Sequence, residues 1–212
     1  MSIHRLAAAG VLLVALQARA QKPQLQVILP DRSELAAEPP SVRSTSLLSD
    51  GAMRNLLVNG FPARLHYRIE RWAKGGWFDD IKAAAEWDVV VKYDALGKQY
   101  HVFRAVANRA VELGSYATLA EAEETVNTPF RAPISPAKRG QRSYYNVVLD
   151  IETLSLTELD EVEQWLRGEL KPAVRGKKNP GTAVSRGVRT LMVRLLGGEK
   201  RRYEARSGTF RP

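Results

Sequence analysis

The sequence of residues 61–70 is FPARLHYRIE, and its alternation decides the fold that we predict. Apolar side chains occupy every second position, and the positions between them hold Arg64, His66, Arg68 and Glu70. Successive side chains of a β-strand point to opposite faces of the sheet, so one face of this strand is predicted to be buried and the other polar. Half-buried strands of this kind are typical of antiparallel sheets.

The same alternation occurs in two further segments. Residues 85–94 are AEWDVVVKYD and residues 144–152 are YYNVVLDIE, with single breaks at Val90 and Val148. Turn residues after the first segment predict a hairpin. Further strands are predicted at 25–29, 98–104 and 202–210, and capping residues predict short helices at 50–58, 118–127 and 158–170. The predicted fold class is α+β, an antiparallel sheet-rich domain with short covering helices and a sandwich-like closure as one arrangement.

Residues 1–20 have the three parts of a secretory signal peptide. His4 and Arg5 precede an uncharged run of eleven residues, and Ala18-Arg19-Ala20 has the small residues of a cleavage site. A membrane-spanning helix needs about 20 apolar residues, so a retained anchor is the weaker alternative, although Arg19 keeps it open. We therefore predict cleavage near Ala20 and export to the periplasm or cell envelope. The predicted organisation is a signal at 1–20, a sheet-rich domain at 21–170 and a basic segment at 171–212.

Charge is concentrated in the last segment. Residues 171–212 contain twelve Lys and Arg against two acidic residues, whereas residues 21–170 contain 18 basic and 21 acidic residues. Outside the cytoplasm such a segment is expected to meet anionic lipid, glycan or an acidic protein surface, and not nucleic acid. A helix is predicted at 183–196. Its apolar stripe either packs on the sheet, which the helical spacing favours, or the helix lies on anionic headgroups through Arg186, Arg189 and Arg194.

Residues that carry catalysis or bind metals are few. The chain has no cysteine, which excludes disulfides and thiolate chemistry. His66 lies between cations and is interpreted as a solvated strand residue, and His101 has no spacing typical of a zinc site. Acid pairs for glycoside chemistry would have to come from Asp79, Asp80, Asp150 and Glu152. We predict a protein that is not an enzyme and that uses no metal or cofactor.

The most suggestive local feature is the connection at residues 72–80, WAKGGWFDD. Gly75-Gly76 allows a sharp reversal, which places Trp77 and Phe78 at the tip of a turn. Two interpretations are open. Exposed rings would form a contact site for a glycan or a protein. Alternatively, and with the hydrophobic effect in its favour, the rings fold back over the end of the core.

Four segments together resemble an uncharacterised bacterial family, the domain-of-unknown-function family numbered 4390. They are LLVNGFP at 56–62, RWAKGGWFDD at 71–80, VKYDALGKQYHV at 91–102 and TLAEA at 118–122. The resemblance covers residues 25–170, and the sequence departs from the family pattern after that span. It implies an exported protein with no assigned activity or catalytic residues, often encoded beside a two-component sensor kinase.

The expected function is therefore that of a non-enzymatic interaction module acting on an envelope protein or a sensor kinase. Its candidate binding residues are Trp77, Phe78, Arg186, Arg189 and Arg194. Two alternatives stay open at this point, a carboxylate-based hydrolase of envelope glycans and a carrier of an apolar ligand.

Overall fold

The computed structural model describes residues 22–107, 109–154 and 201–212. These residues form nine strands and two helices. In chain order the elements are β1 Gln24–Ile28, β2 Ser41–Thr45, α1 Gly51–Val58, β3 Ala63–Ala73, β4 Asp80–Asp94, β5 Gln99–Val106, β6 Arg109–Tyr116, α2 Leu119–Asn127, β7 Phe130–Arg131, β8 Ser143–Thr153 and β9 Arg201–Arg206.

Two antiparallel sheets organise the described chain. The main sheet has the strand order β6-β5-β4-β3-β8-β9, and the small sheet has the order β1-β2-β7. β3 lies inside the main sheet, paired with β4 along one side and with β8 along the other. The prediction of a sheet-rich α+β domain is confirmed.

The alternation that predicted β3 is confirmed, because Leu65, Tyr67 and Ile69 are buried on its inner face. The opposite, outer face of the main sheet carries Arg64 and His66. The strand continues three residues beyond the predicting segment, to Ala73. On this extension Arg71 takes an inner position and is buried, which the polar character of arginine did not predict.

Capping explains where both helices begin. Asp50 precedes α1 and its carboxylate accepts a hydrogen bond from the Ala52 N–H at 3.0 Å, which satisfies a donor that has no partner within the helix. α1 ends at Val58 and is followed by its C-cap residue Asn59. Gly60 comes next and has a positive φ of 86°, which glycine adopts without strain. Thr118 and Glu121 form the capping box of α2 that the sequence predicts.

The hydrophobic core lies against the inner face of the main sheet. It joins side chains from the sheets, both helices and the connecting segments, among them Val42, Leu48, Leu57, Val91, Val102, Leu119, Ala122, Tyr145, Leu149 and Ile151. Asp50 also forms an ion pair with Arg201, which connects the start of α1 to β9. The small sheet, the helices and their loops thus all contribute side chains to this core.

Several predicted segments lie outside the described residues. These are the signal at 1–20, the helix at 158–170, and the basic helix at 183–196 with Arg186, Arg189 and Arg194. The predicted last strand is observed as β9, which is followed by an isolated bridge between Ser143 and Phe210. β2, β6 and β7 were not predicted. No helix within the described ranges is long and apolar enough to cross a membrane.

Candidate functional site

The turn between β3 and β4 presents two aromatic side chains to solvent. Trp77 is 95% exposed and Phe78 is 83% exposed. The interpretation in which these rings fold back over the core is therefore wrong. We call residues 77 and 78 the aromatic tip.

Glycine is required at one position of this turn. A Cβ atom at Gly75 would lie 1.9 Å from the backbone oxygen of Phe78, which is far inside van der Waals contact. A Cβ at Gly76 would meet nothing within 4 Å. The two adjacent glycines thus have different roles, and it is Gly75 that allows the Phe78 backbone to approach it closely.

Polar contacts hold the base of the turn. The Lys74 N–H donates to the Arg142 carbonyl at 2.8 Å, and the Lys74 ammonium lies 4.0 Å from the Asp79 carboxylate. Burial first, and the neighbouring Asp79 carboxylate second, raise the pKa of the Tyr144 hydroxyl. The aromatic tip is therefore held between two connected anchor points, at residues 74 and 79.

Behind the tip, three flat side chains stack across the outer face of the main sheet. The rings of Trp72 and Tyr144 are parallel within 3°, with centroids 6.1 Å apart. The guanidinium of Arg206 lies 3.5 Å from the centre of the Tyr144 ring, a cation–π contact. This stack was not predicted from the sequence. The sequence pattern that could have indicated it is an aromatic residue at a polar-face position of each of two amphipathic strands, Trp72 on β3 and Tyr144 on β8.

Cations lie beside the four carboxylates considered for glycoside chemistry. Asp80 binds Lys82 at 3.3 Å, Asp150 lies 3.8 Å from Arg202, and Glu152 binds Arg64 at 3.2 Å. Asp79 belongs to the turn that carries the aromatic tip. Each of the four thus has its own cationic neighbour in the structure, and Asp79 and Asp80 lie at the opposite end of β3 from Glu152.

His66 is part of an ion-pair network, and the prediction of a simply solvated histidine needs correction. Its Nδ1 atom lies 2.8 Å from Asp88 Oδ1, and Arg64 Nε donates to the same oxygen at 2.9 Å. Burial raises the pKa of Asp88, but the hydrogen bonds from His66 and Arg64 outweigh it and the net pKa is lowered. The residues next to His66 in sequence do not indicate this network, because the aspartate lies on the neighbouring strand β4.

His101 on β5 lies beside a glutamate and a serine of the edge strand β6. Its Nδ1 is 2.8 Å from Glu112 and 3.1 Å from the Ser115 hydroxyl. In a hydrolytic triad the acid and the nucleophile use opposite ring nitrogens, so this arrangement lacks the required geometry. The hydrogen bond from His101 lowers the pKa of Glu112. Within the described ranges no three His, Asp or Glu side chains form a group that could hold a metal ion.

Of the predicted binding residues, the structure therefore places Trp77 and Phe78 together at an exposed tip. Arg186, Arg189 and Arg194 lie outside the described residues. No family model matches the chain, and comparisons with curated proteins and with solved structures gave no match.

Proposed function

We propose that this chain is an exported, non-enzymatic interaction module of the cell envelope that contacts its partner through the aromatic tip. The observation that carries the proposal is the exposure of two adjacent rings on a fixed turn. Covering one such ring contributes about 2–3 kcal/mol, so leaving both in water is costly unless a partner covers them. Aromatic anchors on a preorganised surface are typical of contact sites.

The same proposal includes membership of family 4390 and a sandwich-like stacking of the two sheets. The partner is an envelope protein such as a sensor kinase, or an anionic lipid or glycan surface. The separate cationic neighbours of Asp79, Asp80, Asp150 and Glu152 do not favour the hydrolase alternative. No observation on the described residues favours an apolar carrier over a contact module.

A photo-crosslinking residue in place of Gly76 tests the contact, because a side chain there meets nothing within 4 Å. The matched control carries the same residue in place of Leu96, which is 97% exposed at the other end of β4. In the native envelope we expect adducts from position 76, and a loss of them in a W77A/F78A background. Equal labelling from both positions would mean that the tip is not the contact site.

Export is tested separately. The exported protein should give an N-terminal peptide that begins at Gln21. Recovery of the intact N-terminus from the membrane fraction would favour the uncleaved anchor instead.

A further inference from the structure

Three segments meet at the end of the main sheet that carries the aromatic tip. The Lys74 N–H donates to Arg142, the Gly140 N–H donates to the Pro212 carbonyl at 3.0 Å, and Ser143 and Phe210 exchange two backbone hydrogen bonds of 2.9 Å. We call residues 74–82, 138–142 and 206–212 together the tip surface. The backbone bonds make this surface one continuous unit rather than three independent loops.

The tip surface is strongly basic. Its exposed cations are Lys74, Lys82, Lys138, Arg139, Arg142, Arg206 and Arg211. Its acidic side chains are Asp79 and Asp80, which lie beside Lys74 and Lys82. The other five cations have no carboxylate within ion-pair distance in the part of the chain that the structure describes. A net positive field therefore surrounds the two exposed rings.

We propose that the tip surface binds an anionic lipid bilayer, with Trp77 and Phe78 entering the interface and the surrounding cations contacting lipid phosphates. This inference rests on the proposed role of the tip and names its partner class. Tryptophan favours the headgroup region because its ring is amphipathic, and basic residues near an anionic bilayer add to the attraction. Ile81, which is 49% exposed beside the turn, adds apolar area next to the rings.

Two features favour a bilayer over a folded partner. The rings project almost completely from the surface, so both can reach the headgroup region together. In the tip surface, Asp79 and Asp80 lie beside Lys74 and Lys82, and the remaining charged side chains are all positive. A surface that combines protruding rings with cations that no carboxylate neutralises is suited to a headgroup layer, which offers apolar depth and phosphate together.

The test is co-sedimentation of the full mature chain with vesicles of phosphatidylcholine alone or mixed with phosphatidylglycerol. Two variants remove the proposed determinants, W77A/F78A and R139Q/R142Q. Two matched controls change exposed residues elsewhere, L96A for the rings and R54Q/R109Q for the charges. A third variant, R186Q/R189Q/R194Q, tests the basic segment that the sequence singled out.

We expect binding to the mixed vesicles alone, weakened at least tenfold in each tip-surface variant and unchanged in the controls. Each basic residue near an anionic surface strengthens binding about fivefold, so two substitutions suffice for that loss. Brominated lipid should quench tryptophan fluorescence in the wild type, and W77F should lose most of this quenching. Added salt should weaken binding, since exposed charges are screened.

Binding that depends on Arg186, Arg189 and Arg194 but not on the tip surface would overturn the inference. So would failure to bind anionic vesicles while position 76 still crosslinks to an envelope protein, and in that case the proposed contact function would stand. If neither vesicles nor crosslinks depend on Trp77 and Phe78, both proposals fail. Unfolding curves of each variant identify any that lose binding through loss of fold.

Discussion

His66 on β3 lies directly opposite Asp88 on β4, and its Nδ1 atom is 2.8 Å from the aspartate Oδ1. Arg64 binds the same carboxylate through two nitrogen atoms, at 2.9 and 3.2 Å. The Asp88 side chain is 21% exposed, so these bonds form where water competes only in part. The outer face of the main sheet is therefore stabilised by a network across its strands.

Substituting Asp88 by Asn should reduce the free energy of unfolding near neutral pH by about 1–3 kcal/mol, since hydrogen bonds to a charged acceptor are lost. D80N is the matched control, because the Asp80 side chain is 68% exposed, and it should change stability by less than about 0.5 kcal/mol. Urea unfolding measures both. Equal stability of D88N and wild type would show that the network contributes nothing.

The same carboxylate gives stability a dependence on acid. The pKa of Asp88 is lower in the folded chain than in the unfolded chain, so the unfolded chain binds more protons as the solution is acidified. Its contribution is present above the unfolded pKa of about 4 and is lost as the pH falls through the folded pKa. Wild type and D88N should therefore converge in stability at acid pH. A gap that stays constant on acidification would contradict this.

At alkaline pH, the stability of the fold should depend on Tyr67, whose hydroxyl forms a hydrogen bond of 2.9 Å with the Ser44 hydroxyl inside the core. Burial raises the pKa of Tyr67 to about 12. Because this pKa is higher in the folded chain, the unfolded chain releases the proton at a lower pH. The contribution of Tyr67 to stability is therefore complete below the unfolded pKa of about 10 and decreases as the pH rises from there towards 12. Y67F should lack this part of the loss. Phenolate absorbance should show one fewer late-titrating tyrosine in that variant.

Some of this architecture could be predicted from sequence, because the information is local. The alternation of β3 and the capping residues of α1 and α2 each lie within a few neighbouring positions. β6 was missed because its pairing shifts register opposite Val102 and Phe103, which breaks the two-residue period. Arg71 shows the limit most clearly. It is 5% exposed, and the hydrogen-bond partner it reaches, at 3.5 Å, is Gln141, 70 positions away.

The candidate site could also be predicted only in part from local sequence. The sequence placed Trp77 and Phe78 at a turn, but burial area alone favoured packing of their rings on the core. The turn is held by contacts that are distant in sequence, such as the hydrogen bond from the Lys74 N–H to the Arg142 carbonyl. β9 pairs with β8, so a truncation after residue 170 would remove a strand of the main sheet. Substitution of Arg186, Arg189 and Arg194 is therefore the better test of the basic segment.

Removing side-chain atoms from the core should reduce the free energy of unfolding by the amount usual for a buried leucine. Leu149 on β8 has no exposed surface, and L149A should reduce the free energy of unfolding by about 2–5 kcal/mol. L96A removes the same atoms from a side chain that is almost fully exposed, and its effect should be smaller than about 0.5 kcal/mol. Thermal or urea unfolding compares the two. Similar losses from both variants would mean that Leu149 is not part of the packed core.

The last prediction concerns the two glycines of the turn, which offer a matched pair of substitutions. G75A places a methyl group 1.9 Å from the Phe78 oxygen, so the backbone at residues 75–78 must move and the rings are re-aimed. G76A meets nothing within 4 Å and should leave the turn intact. Because the turn lies outside the core, we expect nearly equal melting temperatures but a several-fold loss of tip-dependent binding in G75A alone. Vesicle co-sedimentation measures the binding of both variants. If G75A binds as well as G76A, the fixed geometry of the turn is not what presents the rings, and their exposure alone must account for the contact.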